Sequence, residues 1–259
     1  MLRDSWPHLV EVFLVKLRFN LRSEVSRTYL GYAWWVLEPA MLVAALYLVF
    51  GVFFSSSTES FVAFLLLGKV PFLWFSKSVM NSSNSLRSGG GLMAQVAITK
   101  VFFPMLVIFQ DLVKQGFVFM LMLVFLVLYG IEPGLQWLYI FFLMVVELLL
   151  IIACGLIVAA VTTFVPDFRF LVATGMMMLM FGSGIFYDYE AVILPEHREM
   201  FLMNPMALLL NNYRQVMMEL QAPDWWPLLG IALGSVVVIL LMYRVYQVAD
   251  NAFARLAAQ

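Results

Sequence analysis

Between Val101 and Tyr129, and again between Leu135 and Phe164, the chain runs through long apolar stretches broken only by Asp111, Lys114 and Glu147 among charged residues. About 20 apolar residues suffice to cross a bilayer as a helix. A chain in lipid must satisfy its own backbone polar groups, so such runs become α-helices. The pattern recurs at 30–54, 61–80, 170–187 and 225–246. An all-α integral membrane protein with six transmembrane helices is predicted, spanning 30–54, 61–80, 101–129, 135–164, 170–187 and 225–246. Composition agrees: 64% of the 259 residues are hydrophobic and 12% are charged, against about 45–50% and about 25% in soluble domains.

Composition also excludes several function classes. The net charge of −1 leaves no electrostatic footprint for nucleic acid. Cys154 is the only cysteine, which rules out a disulfide within the chain and argues against a thiolate metal site. His8 and His197 lie far apart in sequence, so no histidine metal cluster is expected. The N-terminus shows no short apolar core followed by a small-residue cleavage site.

Two regions are read along the chain. Residues 1–29 form an amphipathic cytosolic interface segment, and residues 30–259 form the six-span domain. In the first, Leu9, Val10, Phe13, Leu14, Leu17, Leu21 and Val25 share one side of a helical wheel, and Glu11, Arg18 and Arg22 form a polar stripe opposite. A basic amphipathic helix of this kind lies in the membrane interface; an ordinary packed helix is the alternative. Trp34 and Trp35 open the first span at headgroup level. Pro39 is expected to kink that helix or to end its first turn. Lys69-Val70-Pro71 interrupts the second span, where a lysine costs roughly 2.5–3.5 kcal/mol at the centre. Lys69 suits three placements: snorkelling outward, facing a protein-lined cavity, or pairing with a carboxylate.

A polar connection follows over 76–104. Gly89-Gly90-Gly91 breaks any helix there, and Leu92 to Thr99 is expected to form a short helix. Asp111 and Lys114, at i,i+3 spacing, are expected to face each other, as a structural pair or as part of a transport path. The methionines of the fifth span (Met176, Met177, Met178, Met180) are read as adaptable packing. Between Asp188 and Pro227, two short helices are expected to dip into the membrane. The second begins at the cap Asn204-Pro205, with Leu208, Leu209, Tyr213 and Met217 on its apolar side.

Six spans put both termini on one side. Arg3, Lys16, Arg18, Arg22, Arg27, Lys77, Arg87, Lys100, Arg169, Arg244 and Arg255 fall on that side, and only Arg198 and Arg214 on the other. The excess of Lys and Arg places both termini in the cytosol.

Catalytic chemistry is missing. The only Gly-Lys, Gly68-Lys69, is followed by Val70 inside a span, so no phosphate-binding G-x-x-x-x-G-K-[ST] loop is present. Gly182-Ser183-Gly184 lacks the glycine two residues before the serine that an intramembrane serine protease requires. No catalytic, cofactor or metal residue is predicted, and the chain is not expected to be an enzyme.

The order of short motifs resembles the permease subunits of bacterial ABC exporters of cell-surface polysaccharides (O-antigen, capsule and teichoic acid). The motifs are Leu30-Gly31-Tyr32 with Trp35, Leu37 and Glu38-Pro39; Gly68, Pro71 and Phe72-Leu73-Trp74-Phe75; Asn84-Ser85, Leu92 and Lys100-Val101-Phe102-Phe103-Pro104; and Asp167-Phe168-Arg169, Gly184-Ile185-Phe186-Tyr187 and Asn204-Pro205. The resemblance implies a bacterial inner-membrane homodimer bound to two copies of a separate ABC ATPase, which carries the ATP and Mg. The cargo it implies is a lipid-linked polysaccharide. By the same resemblance the ATPase-coupling segment is Leu92 to Thr99, with Leu92, Gln95, Thr99 and Lys100 as its contacts, and an external gate includes Tyr187, Asn204 and Tyr213.

A sugar polymer needs aromatic faces and hydroxyl partners, which Tyr29, Trp34, Phe72, Trp74 and Phe75 offer along a substrate path; interfacial anchoring or core packing is the alternative for each. Arg22 and Arg27 suit a lipid pyrophosphate, or topology and anionic-lipid contact. Lys69 stands where the family is expected to be apolar. Two other functions stay open: a drug or lipid exporter of the same architecture, and an ATP-independent ion-coupled carrier using Lys69, Asp111, Lys114 and Glu147.

Overall fold

The structure, a computed structural model, describes residues 6–26, 29, 31, 33–53, 60–89, 99–250 and 252–253. Among these there are helices and turns and no strand. In chain order the helices are α1 (Trp6–Ser26), α2 (Ala33–Leu46, continued as a π-helix over Tyr47–Phe53), α3 (Phe61–Ser82), α4 (Ser85–Ser88) and α5 (Phe102–Leu128). After a 3-10 turn at Leu135–Leu138 come α6 (Tyr139–Phe164), α7 (Phe168–Gly182), α8 (Tyr189–Val192), α9 (Pro195–Leu202), α10 (Pro205–Met217) and α11 (Trp225–Val248).

Four helical stretches are long and apolar enough to cross a membrane: Phe61–Ser82, Phe102–Leu128, Leu135–Phe164 and Trp225–Val248. They match four of the six predicted spans to within a few residues. The other two are shorter apolar helices, Ala33–Val49 and Phe168–Gly182. The fifth predicted span, 170–187, is therefore a helix of 15 residues. It stops where Ser183 Oγ bonds back to Leu179 O at 2.7 Å and the chain turns toward α8.

Side-chain contacts fix which ends lie together. Thr162 Oγ1 donates to Ser83 O at 2.7 Å, Phe164 packs on Phe253 at 5.2 Å, and Lys100 Nζ lies 3.4 Å from Asp250 Oδ2. The C-terminal ends of α3, α6 and α11 and the start of α5 thus share one end of the bundle. At the other end, Trp225 packs on Tyr139 at 5.4 Å and Trp137 Nε1 donates to Met217 O at 3.2 Å.

Helix α1 runs beside the first half of α5. Phe13 meets the rings of Phe102 and Phe109 edge-on, each at 5.5 Å, and Glu24 reaches Lys114. Val10, Leu14, Val15 and Phe19 remain exposed on its outer side. Helix α2 takes over along the second half of α5, from Trp35 beside Phe117 to Tyr47 beside Tyr129. It passes through Pro39 without ending, so of the two expectations for Pro39, a kink or an end to the first turn, the second does not hold. Proline removes one N–H and leaves the rest of the helix ladder in place, and neighbouring helices hold the segment.

The core is contiguous. Leu66, Leu67, Ile108, Leu126, Leu143, Ile151, Leu209 and Tyr213 are all fully buried in it. Each side chain of this size contributes about 1.5–3 kcal/mol when removed from water; in lipid the gain comes instead from close packing.

Candidate functional site

Two polar constellations stand out in this apolar bundle. The first lines a cavity of about 730 Å³ between the end of α1, the start of α2, α3 and α5. Three tryptophans or their neighbours wall it, notably Trp34, Trp35 and Trp74, and five charged side chains gather there. Lys77 pairs with Glu38. Lys114 Nζ lies 2.8 Å from Glu24 Oε1 and 3.5 Å from Asp111 Oδ1. Asn81 Nδ2 donates to Asp111 Oδ2 at 2.9 Å, and Gln115 Nε2 to Val70 O at 3.4 Å. The predicted Asp111–Lys114 pair is present, and it is part of a larger network that joins α1, α3 and α5.

The second constellation clamps α10. Asn204 caps it, accepting from Met206 N at 3.0 Å. The same amide donates to Gly182 O at 3.2 Å and Ser183 Oγ at 3.0 Å, so the cap also fixes the end of α7. Proline at the first helical position suits this start, because its missing N–H would be unpaired anyway. Further along, the Tyr213 hydroxyl donates to Glu147 Oε2 at 2.8 Å. Arg214 donates to Ile185 O at 3.0 Å and to Phe64 O at 3.3 Å, with its guanidinium 3.4 Å from the centroid of the Phe64 ring. Gly68 makes room for it: a Cβ there would lie 2.6 Å from Arg214 Nη2.

Beside the clamp, Tyr189 stacks on Phe201 at 5.5 Å and its hydroxyl donates to Glu190 Oε1 at 3.1 Å. Burial, then that hydrogen bond and the carboxylates nearby, push the phenol up to about 12, so it stays neutral at physiological pH. No group of three or more His, Cys, Asp or Glu among the described residues is arranged to hold a metal.

No family model matches the chain. Among curated proteins, it is 26% identical to the O-antigen export system permease protein RfbA of Myxococcus xanthus over 238 residues, 91% of each chain. It is also 25% and 24% identical to two proteins of the same name from Klebsiella pneumoniae, over 219 residues and 82% of each chain. The chain is related to the O-antigen export permeases. It is a multi-pass membrane protein, with four helices long and apolar enough to cross a membrane among the described residues.

Seen as a permease relative, the chain distributes its predicted site residues unevenly. Asn204 and Tyr213 meet in the clamp, and Tyr187 lies beside it, donating to Phe181 O at 3.1 Å. Trp34 and Trp74 line the cavity, Trp34 in part exposed and Trp74 only 2% exposed. Phe72 and Phe75 are core residues, and Tyr29 is fully exposed. Arg22 is exposed on α1. Leu92, Gln95 and Arg27 lie outside the described residues. Thr99 begins the described approach to α5, and Lys100 is buried against Asp250.

Arg214 was counted in the sequence only as a charge on the outer side; the structure buries it at 6% exposure. The expected pair of short helices between Asp188 and Pro227 is three, α8, α9 and α10. The partners Glu24, Asn81 and Ile185 were missed, because each lies far along the chain from the residue it holds.

Proposed function

We propose that the chain is the transmembrane permease subunit of an ATP-driven exporter that moves a lipid-linked cell-surface polysaccharide, of the O-antigen or capsule type, across the bacterial inner membrane. The observation that carries this reading is the similarity to three O-antigen export permeases over 82–91% of the chain.

ATP hydrolysis belongs to a separate subunit, in keeping with a sequence that has no phosphate-binding loop. Two such subunits join two copies of this chain. Six crossings follow if α2 with its π-helical extension and α7 complete the four long helices. Both termini then face the cytosol, on the side where Lys100 meets Asp250. The segment Leu92 to Thr99 receives the push of the ATPase and passes it into α5. Helices α8 to α10 form the external gate, supported by the clamp that ties Asn204, Tyr213 and Arg214 to three other helices. The aromatic cavity between α2, α3 and α5 receives sugar on the cytosolic side, with Trp34 as the exposed face.

The test is purification of the chain from its native membranes in mild detergent, with identification of co-eluting proteins and an ATPase assay. A nucleotide-binding subunit in fixed ratio, with vanadate-sensitive hydrolysis, is expected. Loss of surface glycan in a deletion strain, with build-up inside the cell, is expected alongside it. Unchanged glycan with new drug sensitivity would replace the cargo, and a chain that elutes alone without ATPase would overturn the reading.

A further inference from the structure

Lys69 lies within α3, in a stretch that is otherwise apolar. Its Nζ contacts Met180 Sδ at 3.0 Å and stands 5.9 Å from the centroid of the Phe186 ring. No carboxylate of the described residues is within ion-pair distance of it. A lysine ammonium carries three N–H donors, and a thioether is a weak acceptor. Two donors therefore have no hydrogen-bond partner among the described residues, on a side chain that is only partly exposed.

The neighbouring cation sharpens this. Arg214 lies against Gly68, the residue before Lys69. Two of its five donors go to the carbonyls of Phe64 and Ile185, and it too is in no ion pair with a carboxylate of the described residues. Arg214 is held in place by these two backbone oxygens and by the Phe64 ring, whereas Lys69 has only a thioether within hydrogen-bond distance among the described residues. Both lie against the turn after α7, the turn that α10 clamps. A positive charge kept in apolar surroundings without a counter-charge marks a functional position.

We propose that Lys69 is an anion contact on the transport path, taking a phosphate or carboxylate group at the turn that α10 closes. The assignment rests on the exporter reading for its path and gives that reading a cargo class: a glycan bearing negative charge. An anionic lipid headgroup carries the same chemistry, and the experiment separates the two.

The chain is placed in phosphatidylcholine nanodiscs and titrated with oligogalacturonate, which carries carboxylates, and with maltoheptaose, which is neutral. Lys69→Met is expected to weaken oligogalacturonate binding roughly tenfold, the scale of a hydrogen bond to a charged group. Lys69→Arg is expected to retain binding, and maltoheptaose is expected to show no dependence on residue 69. Lys69→Met is also expected to raise the melting temperature without ligand, because an uncompensated cation is removed; this readout shows that the variant folds. Phosphatidylglycerol in the discs that blocks oligogalacturonate on the wild type would keep the anion site and assign it to lipid. Equal oligogalacturonate binding by wild type and Lys69→Met would overturn the proposal. Because binding is read on the chain alone, that outcome leaves the ATPase co-purification, and with it the exporter reading, standing.

Discussion

The Tyr213 hydroxyl donates to Glu147 Oε2 at 2.8 Å, and neither residue has any exposed surface. Glu147 Oε1 has no hydrogen-bond partner among the described residues. One bond therefore carries the whole polar satisfaction of a carboxyl nine residues into α6, and it also fixes how deeply α10 enters the bundle. Tyr213→Phe removes the hydroxyl and keeps the ring against Phe119. Leaving a buried polar group without its partner costs about 1–3 kcal/mol. At roughly 2–4 °C per kcal/mol for a chain of this size, the melting temperature in detergent should fall measurably. Faster hydrogen exchange should be confined to α10 and its contacts.

Gly68→Ala should expel Arg214, because the new methyl would meet Nη2, the guanidinium nitrogen that donates to Ile185 O, while Nε is held by Phe64 O. The expected loss is about 1–3 kcal/mol. Arg214→Met should cost a similar amount alone and little more in the Gly68→Ala background. Unfolding free energies of the two single variants and the double variant test this; simple additivity would show that Gly68 and Arg214 do not depend on each other.

The cavity network predicts unequal roles for its acids. Lys114 joins Glu24, whose side chain is 48% exposed, to Asp111, whose side chain is 11% exposed. Glu24→Gln should change stability by no more than about 1 kcal/mol, as for exposed ion pairs. Lys114→Met should cost about 1–3 kcal/mol, because Asp111 then keeps only Asn81. Limited proteolysis should release α1 more readily in the second variant than in the first.

Gly89 ends α4 where a Cβ would overlap the Phe103 ring. Phe103 packs edge-on against Phe102, and Phe102 against Phe13 of α1. Gly89→Ala should therefore shift the start of α5 and loosen α1. In the assembled exporter, ATP hydrolysis is expected to continue while less glycan is exported for each ATP consumed. Unchanged coupling with unchanged stability would show that the ring yields without consequence.

Local rules made part of this structure legible in advance. The lengths of α3, α5, α6 and α11 follow from continuous apolar runs, and the Asn204-Pro205 cap from its own chemistry. Asp111 and Lys114 meet because helical geometry puts i and i+3 on one face. Glu24 lies 90 residues from Lys114, and no periodicity in the sequence connects them. Arg214 misled for a related reason. Charge counting gives a side of the membrane but no depth, and the sign of its burial is a glycine, Gly68, on another helix. Pro39 marks the opposite limit: a rule for isolated helices overstates the break when neighbouring helices support the segment.

The 15 residues of α7 reach about 22 Å at helical rise, against a hydrocarbon layer of about 30 Å. Its surface is apolar apart from Arg169 and Thr174, and none of its residues is buried within the chain. Lipid touching such a helix faces a hydrophobic mismatch, which bilayers relieve by thinning or proteins by associating. If α7 is a crossing of the proposed exporter, either relief has a consequence: a thinner bilayer shortens the distance over which a hydrated polymer must be kept from oil beside the turn that carries Ile185 and Phe186, and association covers the apolar face of α7 with a second copy of the chain.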